Sequence, residues 1–184
     1  MRTVVASLAS VSPYQQSKPV REKKTRDETH EDFESRVWCQ RSHIDKDGKV
    51  FIPPQAFKNC LSEAAKYKSI QIPGKGKSTY TKHFEAGVMC STPVVIGNKS
   101  DIVCLPLFVP SDGRRGGTTR VWKKFPVMQS WEAEVEFLIF DELIDNEVFE
   151  THLSDAGQFI GIGAFRPRNN GYFGRFEIKK IKFS

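Results

Sequence analysis

The last third of the chain constrains its fold more than any other part. Residues 131 to 140 start by alternating polar and apolar side chains and end fully apolar, the pattern of a strand that enters a sheet interior. Asp145 stands where a helix N-cap belongs. Val148, Phe149, His152, Leu153 and Ala156 then give the following helix an inner face, with Gly157 placed to close it. Residues 175 to 183 alternate again and predict a final strand with its apolar set on one side. Strand, helix, glycine-rich connection, strand is half of a ferredoxin-like α+β unit.

The connection itself carries chemistry. Residues 157 to 176 hold five glycines, three arginines, five aromatics and no acid. Glycines such as Gly161, Gly163, Gly171 and Gly174 let a backbone come close to a ligand. Arg166 and Arg168 suit phosphates, and Phe165, Tyr172 and Phe173 suit stacking on bases. The composition fits a nucleic-acid loop; it also fits a glycine-rich turn whose aromatics belong to the core.

Upstream, residues 3 to 11 are β-branched and small and predict a strand ended by Ser12, Pro13 and Tyr14. Residues 18 to 36 mix six cations with six acids and almost no apolar side chains, which predicts an exposed insertion, part helical, ordered mainly by a partner. Asp45 to Gly48 predict a turn joining Val37–Cys39 to Val50–Ile52 as a hairpin, and the glutamate a calcium loop would need is missing. Pro53 and Pro54 open a helix whose apolar face is Phe57, Cys60, Leu61, Ala64 and Ala65, with Lys58, Lys66 and Lys68 off that face. Short strands are expected at 88–90, 93–96 and 102–109.

Two more segments have the composition of phosphate contacts. Residues 72 to 83 carry Lys75, Lys77 and Lys82 among hydroxyl side chains with no acid, yet lack the glycine spacing of a nucleotide-hydrolase phosphate loop. Residues 111 to 125 set Arg114, Arg115, Arg120, Lys123 and Lys124 against one acid between two strand-like runs, with Trp122 beside them, and predict a protruding hairpin that grips a nucleic-acid strand.

The charge distribution sharpens this. The net charge is +6, but residues 126 to 158 hold nine acids and no Lys or Arg, so the remaining 28 cations face only 13 acids, a net +15. One face is expected to be strongly positive and to favour an anionic partner. The four cysteines, Cys39, Cys60, Cys90 and Cys104, are far apart, with no paired spacing and no histidine at metal-finger distance, so no metal and no cofactor is expected and the thiols read as buried in a reducing compartment. The N-terminus is unlike a signal peptide and no run reaches the length of a spanning helix, which predicts a soluble cytoplasmic protein without a membrane partner.

Three stretches resemble the RAMP superfamily of CRISPR-associated proteins, and within it the Cas-seven-like backbone subunit that polymerises along guide RNA. Leu8 to Pro13 look like that family's first strand and turn. Val50 to Leu61 are similar to its I-P-G-S-S-L-K-G-x-L stretch, with Pro54, Gln55 and Ala56 in place of Gly-Ser-Ser and Lys58 at the lysine position. Ile160 to Gly174 resemble its C-terminal glycine-rich loop. The chain is also similar to small proteins encoded by tailed phages.

The resemblance implies one RAMP-like domain over residues 1–184: a ferredoxin-like (RRM-like) palm, a finger-like insertion at 18–43 and a β-hairpin thumb at 110–125. It implies a non-catalytic subunit that holds single-stranded guide RNA, lies alongside target RNA or DNA, stacks head-to-tail with further copies and joins other effector subunits. The phosphate contacts expected are Lys58, Lys75, Lys77, Lys82, Arg114, Arg115, Arg120, Lys123, Arg166 and Arg168. No catalytic residue is assigned, because no acid matches the target-cleaving aspartate of some members. Three alternatives stay open: a phage protein that coats or anneals single-stranded DNA, a guide-processing endoribonuclease using His43, His83 or His152, and a protein that docks on an effector complex without nucleic acid.

Overall fold

A nine-residue run of small and β-branched side chains forms the central strand because both of its edges find partners. The computed structural model describes residues 1–111, 113 and 117–184. Strand β1 (Arg2–Ser10) is followed by the two-residue β2 (Tyr14–Gln15), helix α1 (His30–Val37), β3 (Lys49–Ile52), α2 (Pro54–Lys68), α3 (Thr81–Gly87), β4 (Val88–Cys90), β5 (Val94–Asn98), β6 (Ile102–Pro110), β7 (Arg120–Met128), β8 (Glu132–Ile139), α4 (Asn146–Asp155) and β9 (Phe176–Phe183). The main sheet has the order β4-β8-β1-β9 and is antiparallel throughout. With α2 and α4 its elements follow one another as β-α-β-β-α-β.

Both helices cover the same face. Val4, Ala6 and Leu8 of β1 and Val135, Phe137 and Ile139 of β8 point into one core with Phe57, Cys60, Leu61 and Ala64 of α2 and Phe149 and Leu153 of α4. Phe57 sits at its centre, edge-on to Trp131, Phe137 and Phe176 at 5.9–6.4 Å. The face expected for α2 is therefore the face that is buried. Asp145 caps α4 by accepting from the Val148 N–H at 2.8 Å.

Five local expectations need correction. Gly157 does not close α4: the helix runs on as a π-turn over Ala156–Ile160 and ends at Gly161, whose φ of 72° suits only a residue without Cβ. Strict alternation in β9 breaks at Lys179–Lys180, where the pairing with β1 jumps from Ser7↔Lys180 to Leu8↔Ile178. Lys179 is the extra residue of a bulge that keeps Phe176, Ile178, Ile181 and Phe183 on the core side.

Val37–Cys39 are helical rather than extended, because Thr29 and Asp32 form a capping box that starts α1 and a 3₁₀ turn continues it to Arg41. The Asp45–Gly48 turn closes only one bridge, Ile44↔Val50, while β3 pairs with β5. Among the cysteines, Cys60 and Cys90 are buried, but Cys39 is half-buried and Cys104 exposed.

The charged insertion is ordered by the chain itself. Glu34, 2% exposed, accepts from the Lys124 N–H of β7 at 2.9 Å and pairs with Arg41, 9% exposed, at 3.0 Å. Lys124 Nζ donates to Ser35 Oγ, and the His30 ring N–H donates to the Trp122 carbonyl. α1 is thus fastened along β7, which pairs with β6 over their full length as a long hairpin.

Candidate nucleic-acid interface

The glycine-rich segment is a closed, internally bonded loop. Ile162 N–H donates to Gly174 O at 3.0 Å, Phe173 N–H to Phe165 O at 3.1 Å and Gly171 N–H to Arg166 O at 3.0 Å. Its two ends are tied to the start of the chain, Gly174 N–H to Pro13 O at 2.8 Å and Ala164 N–H to Gln15 O at 2.9 Å. Gly174 is needed twice over: its φ is 82°, and a Cβ there would lie 1.9 Å from the Ile162 carbonyl oxygen.

This loop lies against the exposed side of α2, and the contact gathers cations and aromatics. Arg166 pairs with Glu63 at 2.7 Å, and the Arg168 guanidinium lies 5.5 Å over the Tyr67 ring. Tyr67 in turn stacks on Phe159 of the π-turn at 6.1 Å and 30°. Lys68 stands 4.6 Å over Phe159 and pairs with Asp155 at 3.2 Å. A shallow depression of ≈ 530 Å³ on this side of α2 is lined by Lys58, Lys66 and Arg166 with the acids Glu63 and Glu85, and by Asn59 and Ser62. Asn59 and Arg166 also border a second depression of ≈ 420 Å³ that runs on past Gly163 to Lys18 and His43. The two adjoin along α2 at Asn59 and Arg166.

The hairpin meets the loop at its base. Phe165 packs edge-on to Phe125 at 5.5 Å, and the Arg41 guanidinium lies 5.6 Å over the Phe125 ring. Further out, Phe108 and Trp122 pair at 5.4 Å with Trp122 61% exposed. Arg120 and Lys123 hold the hairpin's own carbonyls, Phe108 O and Ser111 O. Arg114 and Arg115 lie outside the described residues. Tyr172, 62% exposed, presents its ring beside Phe173.

The structure therefore brings Lys58, Arg166, Arg168, Phe165, Tyr172 and Phe173 to one region with Gly161, Gly163, Gly171 and Gly174 as its frame, and Arg120 and Lys123 to the hairpin beside it. Lys75, Lys77 and Lys82 are exposed but elsewhere: the base of their loop, Ile70 to Pro73, adjoins Asp145 and Glu147 at the start of α4. Sequence reasoning missed Tyr67 and Phe159. Tyr67 was detectable as the aromatic of α2 that lies off its apolar face, between Lys66 and Lys68.

Of the three candidate histidines, His152 is buried, its Nδ1–H given to Val148 O at 2.7 Å, and burial lowers its pKa. His83 is bonded to Asp141 at 2.6 Å; burial raises the Asp141 carboxyl, but the His83 and Leu143 hydrogen bonds outweigh it and hold it below its ordinary value. His43 alone borders the second depression, with its pKa lowered by burial and by Lys18. Among the described residues no group of three or more His, Cys, Asp or Glu is placed to hold a metal ion, and no helix is long and apolar enough to cross a membrane.

An α+β fold with this sheet order and a glycine-rich loop against its first long helix defines a structural class, and comparison with solved structures identifies it. The crystal structure of Cmr6 from Pyrococcus furiosus superposes with a TM-score of 0.50 over 97% of this chain and 99% of that one, at 11% identity. A chain of the Type III-B Cmr-beta bound to cognate target RNA gives a TM-score of 0.50 over 99% of this chain at 12% identity, and this chain spans 60% of that one. The resemblance to the CRISPR-associated RAMP superfamily is borne out as a likeness of fold. No family model and no curated protein matches the sequence.

Proposed function

We propose that this protein is an RNA-binding subunit of the CRISPR type, which holds single-stranded RNA without cutting it. The observation that carries this is the fixed seating of the glycine-rich loop on α2, which sets Arg166 beside Lys58 and Lys66 in one depression and Arg168 over the Tyr67 ring, itself stacked on Phe159. Cations spaced among exposed rings bind a flexible strand by phosphate neutralisation and sequence-tolerant stacking. The shared fold with a chain of the Type III-B Cmr-beta, solved bound to cognate target RNA, supports the choice of RNA over DNA.

In this reading the four-stranded sheet with α2 and α4 is a ferredoxin-like palm, residues 18–43 are the finger region, and the β6–β7 hairpin with its 110–125 tip is the thumb. Copies lie side by side, head to tail, on the strand. The test is a fluorescence titration with single-stranded RNA and DNA of equal length over a salt series. RNA is expected to bind more tightly, and the slope of log affinity against log salt is expected to be shallower by about 0.7 for each of Lys58→Ala and Arg168→Ala. Salt-insensitive binding, or slopes unchanged in both variants, would overturn the reading, and equal or tighter DNA binding would replace RNA by a single-strand DNA role.

A further inference from the structure

We propose that the uncovered face of the four-stranded sheet pairs two copies of this chain back to back, across a two-fold axis that runs along β1. The acidic run of the sequence is divided by the fold. Glu147, Glu150 and Asp155 go to α4, while Glu132, Glu134 and Glu136 alternate with the buried Val135 and Phe137 and so stand on the side of β8 away from the helices. On β9 the exposed Lys180 and Lys182 flank Ile181, which packs toward the core, and so share that outer side.

The register aligns these charges in rows. One row reads Glu136–Val5–Lys182 and the next Glu134–Ser7–Lys180, each with a small β1 residue at its centre. Strands lie about 4.8 Å apart, so acid and base within a row are separated by about 10 Å and do not pair inside one copy. Among the described residues none of these four side chains enters an ion pair. A two-fold rotation about β1 exchanges the two outer strands and keeps the row, which lays Glu136 of one copy over Lys182 of its mate and Glu134 over Lys180, each twice. An axis across the strands would instead set the glutamates of β8 against themselves. The interface is isologous, and the charges choose its axis.

The third row, Glu132–Ala9–Glu177, would oppose acids, and the bulge supplies the remedy. Lys179, the extra residue, holds Glu177 at 2.6 Å, and Glu132 adds to the field that keeps its ammonium charged. Sheets packed face to face cross at about 30°, so the two central rows carry the contact. Nucleic acid is a poor occupant of this face: β1 offers it Thr3, Val5, Ser7 and Ala9, no aromatic, and a column of three carboxylates alongside. The contact lies across the sheet from α2 and the glycine-rich loop, so it stands apart from RNA binding.

Sedimentation equilibrium of the full chain, freed of nucleic acid, reads it directly. A dimer that weakens with salt is expected. Glu134→Lys/Glu136→Lys and Lys180→Glu/Lys182→Glu should each raise the dimer dissociation constant about tenfold or more, and an equimolar mixture of the two should restore pairing. Both variants change exposed side chains and should keep the wild-type RNA affinity. Ser7→Cys, made with Cys39→Ser and Cys104→Ser, lies on the axis and should be joined to its own mate by a short bismaleimide. A wild-type chain that stays monomeric at low salt, charge swaps that leave a dimer unchanged, or no cross-link at Ser7→Cys would each overturn the proposal.

Discussion

Gly174 and Gly48 have nearly the same backbone conformation, φ 82° and 76°, in opposite surroundings. A Cβ at Gly48 meets nothing within 4 Å, whereas one at Gly174 would sit 1.9 Å from the Ile162 carbonyl oxygen, inside any real contact. Gly48→Ala therefore pays only for the left-handed conformation, about 1–2 kcal/mol, less about 0.4–1 kcal/mol recovered from a stiffer unfolded chain. Gly174→Ala carries the same term and must also push apart the Ile162–Gly174 and Gly174–Pro13 hydrogen bonds, at 3.0 and 2.8 Å, each worth about 1 kcal/mol net. The expected losses are about 1 kcal/mol and about 3 kcal/mol. With a urea dependence of about 2 kcal/mol per molar, the midpoints fall by about 0.5 M and about 1.5 M. Trp131, buried in the core, reports the transition by fluorescence. RNA affinity should fall with Gly174→Ala and hold with Gly48→Ala. Equal midpoints for the two variants would refute the reasoning, since the loop would then yield to a methyl group at no cost.

Two further outcomes follow from buried polar groups. Glu34→Gln leaves the Arg41 guanidinium buried without its charge partner and should cost about 3 kcal/mol, seen as a lower urea midpoint and as proteolysis within residues 18–43 once α1 leaves β7. His152 has a lowered pKa in the fold, through burial that its Val148 hydrogen bond and Asp155 offset only in part, so the unfolded chain binds the extra proton. Its contribution is complete above the unfolded value of about 6.5 and is lost as pH falls through the folded one, so stability should decline as pH drops below about 6.5. His152→Asn should flatten that slope in urea titrations, while the loss from Asp141, whose carboxyl is lowered, comes only below about pH 4.

What was legible in the sequence was whatever a single element's periodicity decides. The inner face of α2, the capped start of α4 and the strand at 132–139 follow from spacing alone, because each buries one side against the same sheet. What was not legible came from contacts between distant segments. Gly157 looks like a stop signal, but its bare Cα lets the Phe176 carbonyl of β9 pass where a Cβ would lie 2.1 Å away, and the helix continues through it. The insertion looks solvated by composition, since nothing in a run of mixed charge says that one acid, Glu34, will be buried against β7.

The same limit governs the site. Counting cations overstated the charge free to meet a phosphate, because Arg166 is already matched by Glu63. The acids that crowd residues 126–158 are likewise parted by the fold, since alternate residues of β8 and the exposed positions of α4 lie on two sides of the sheet. In the proposed reading the chain meets RNA on the α2 side and, across the sheet, carries a face whose acids and bases are complementary to their own rotated image. The salt dependence of RNA binding and the salt dependence of self-association should therefore be removed by different substitutions: Lys58 and Arg168 for the first, Glu134, Glu136, Lys180 and Lys182 for the second.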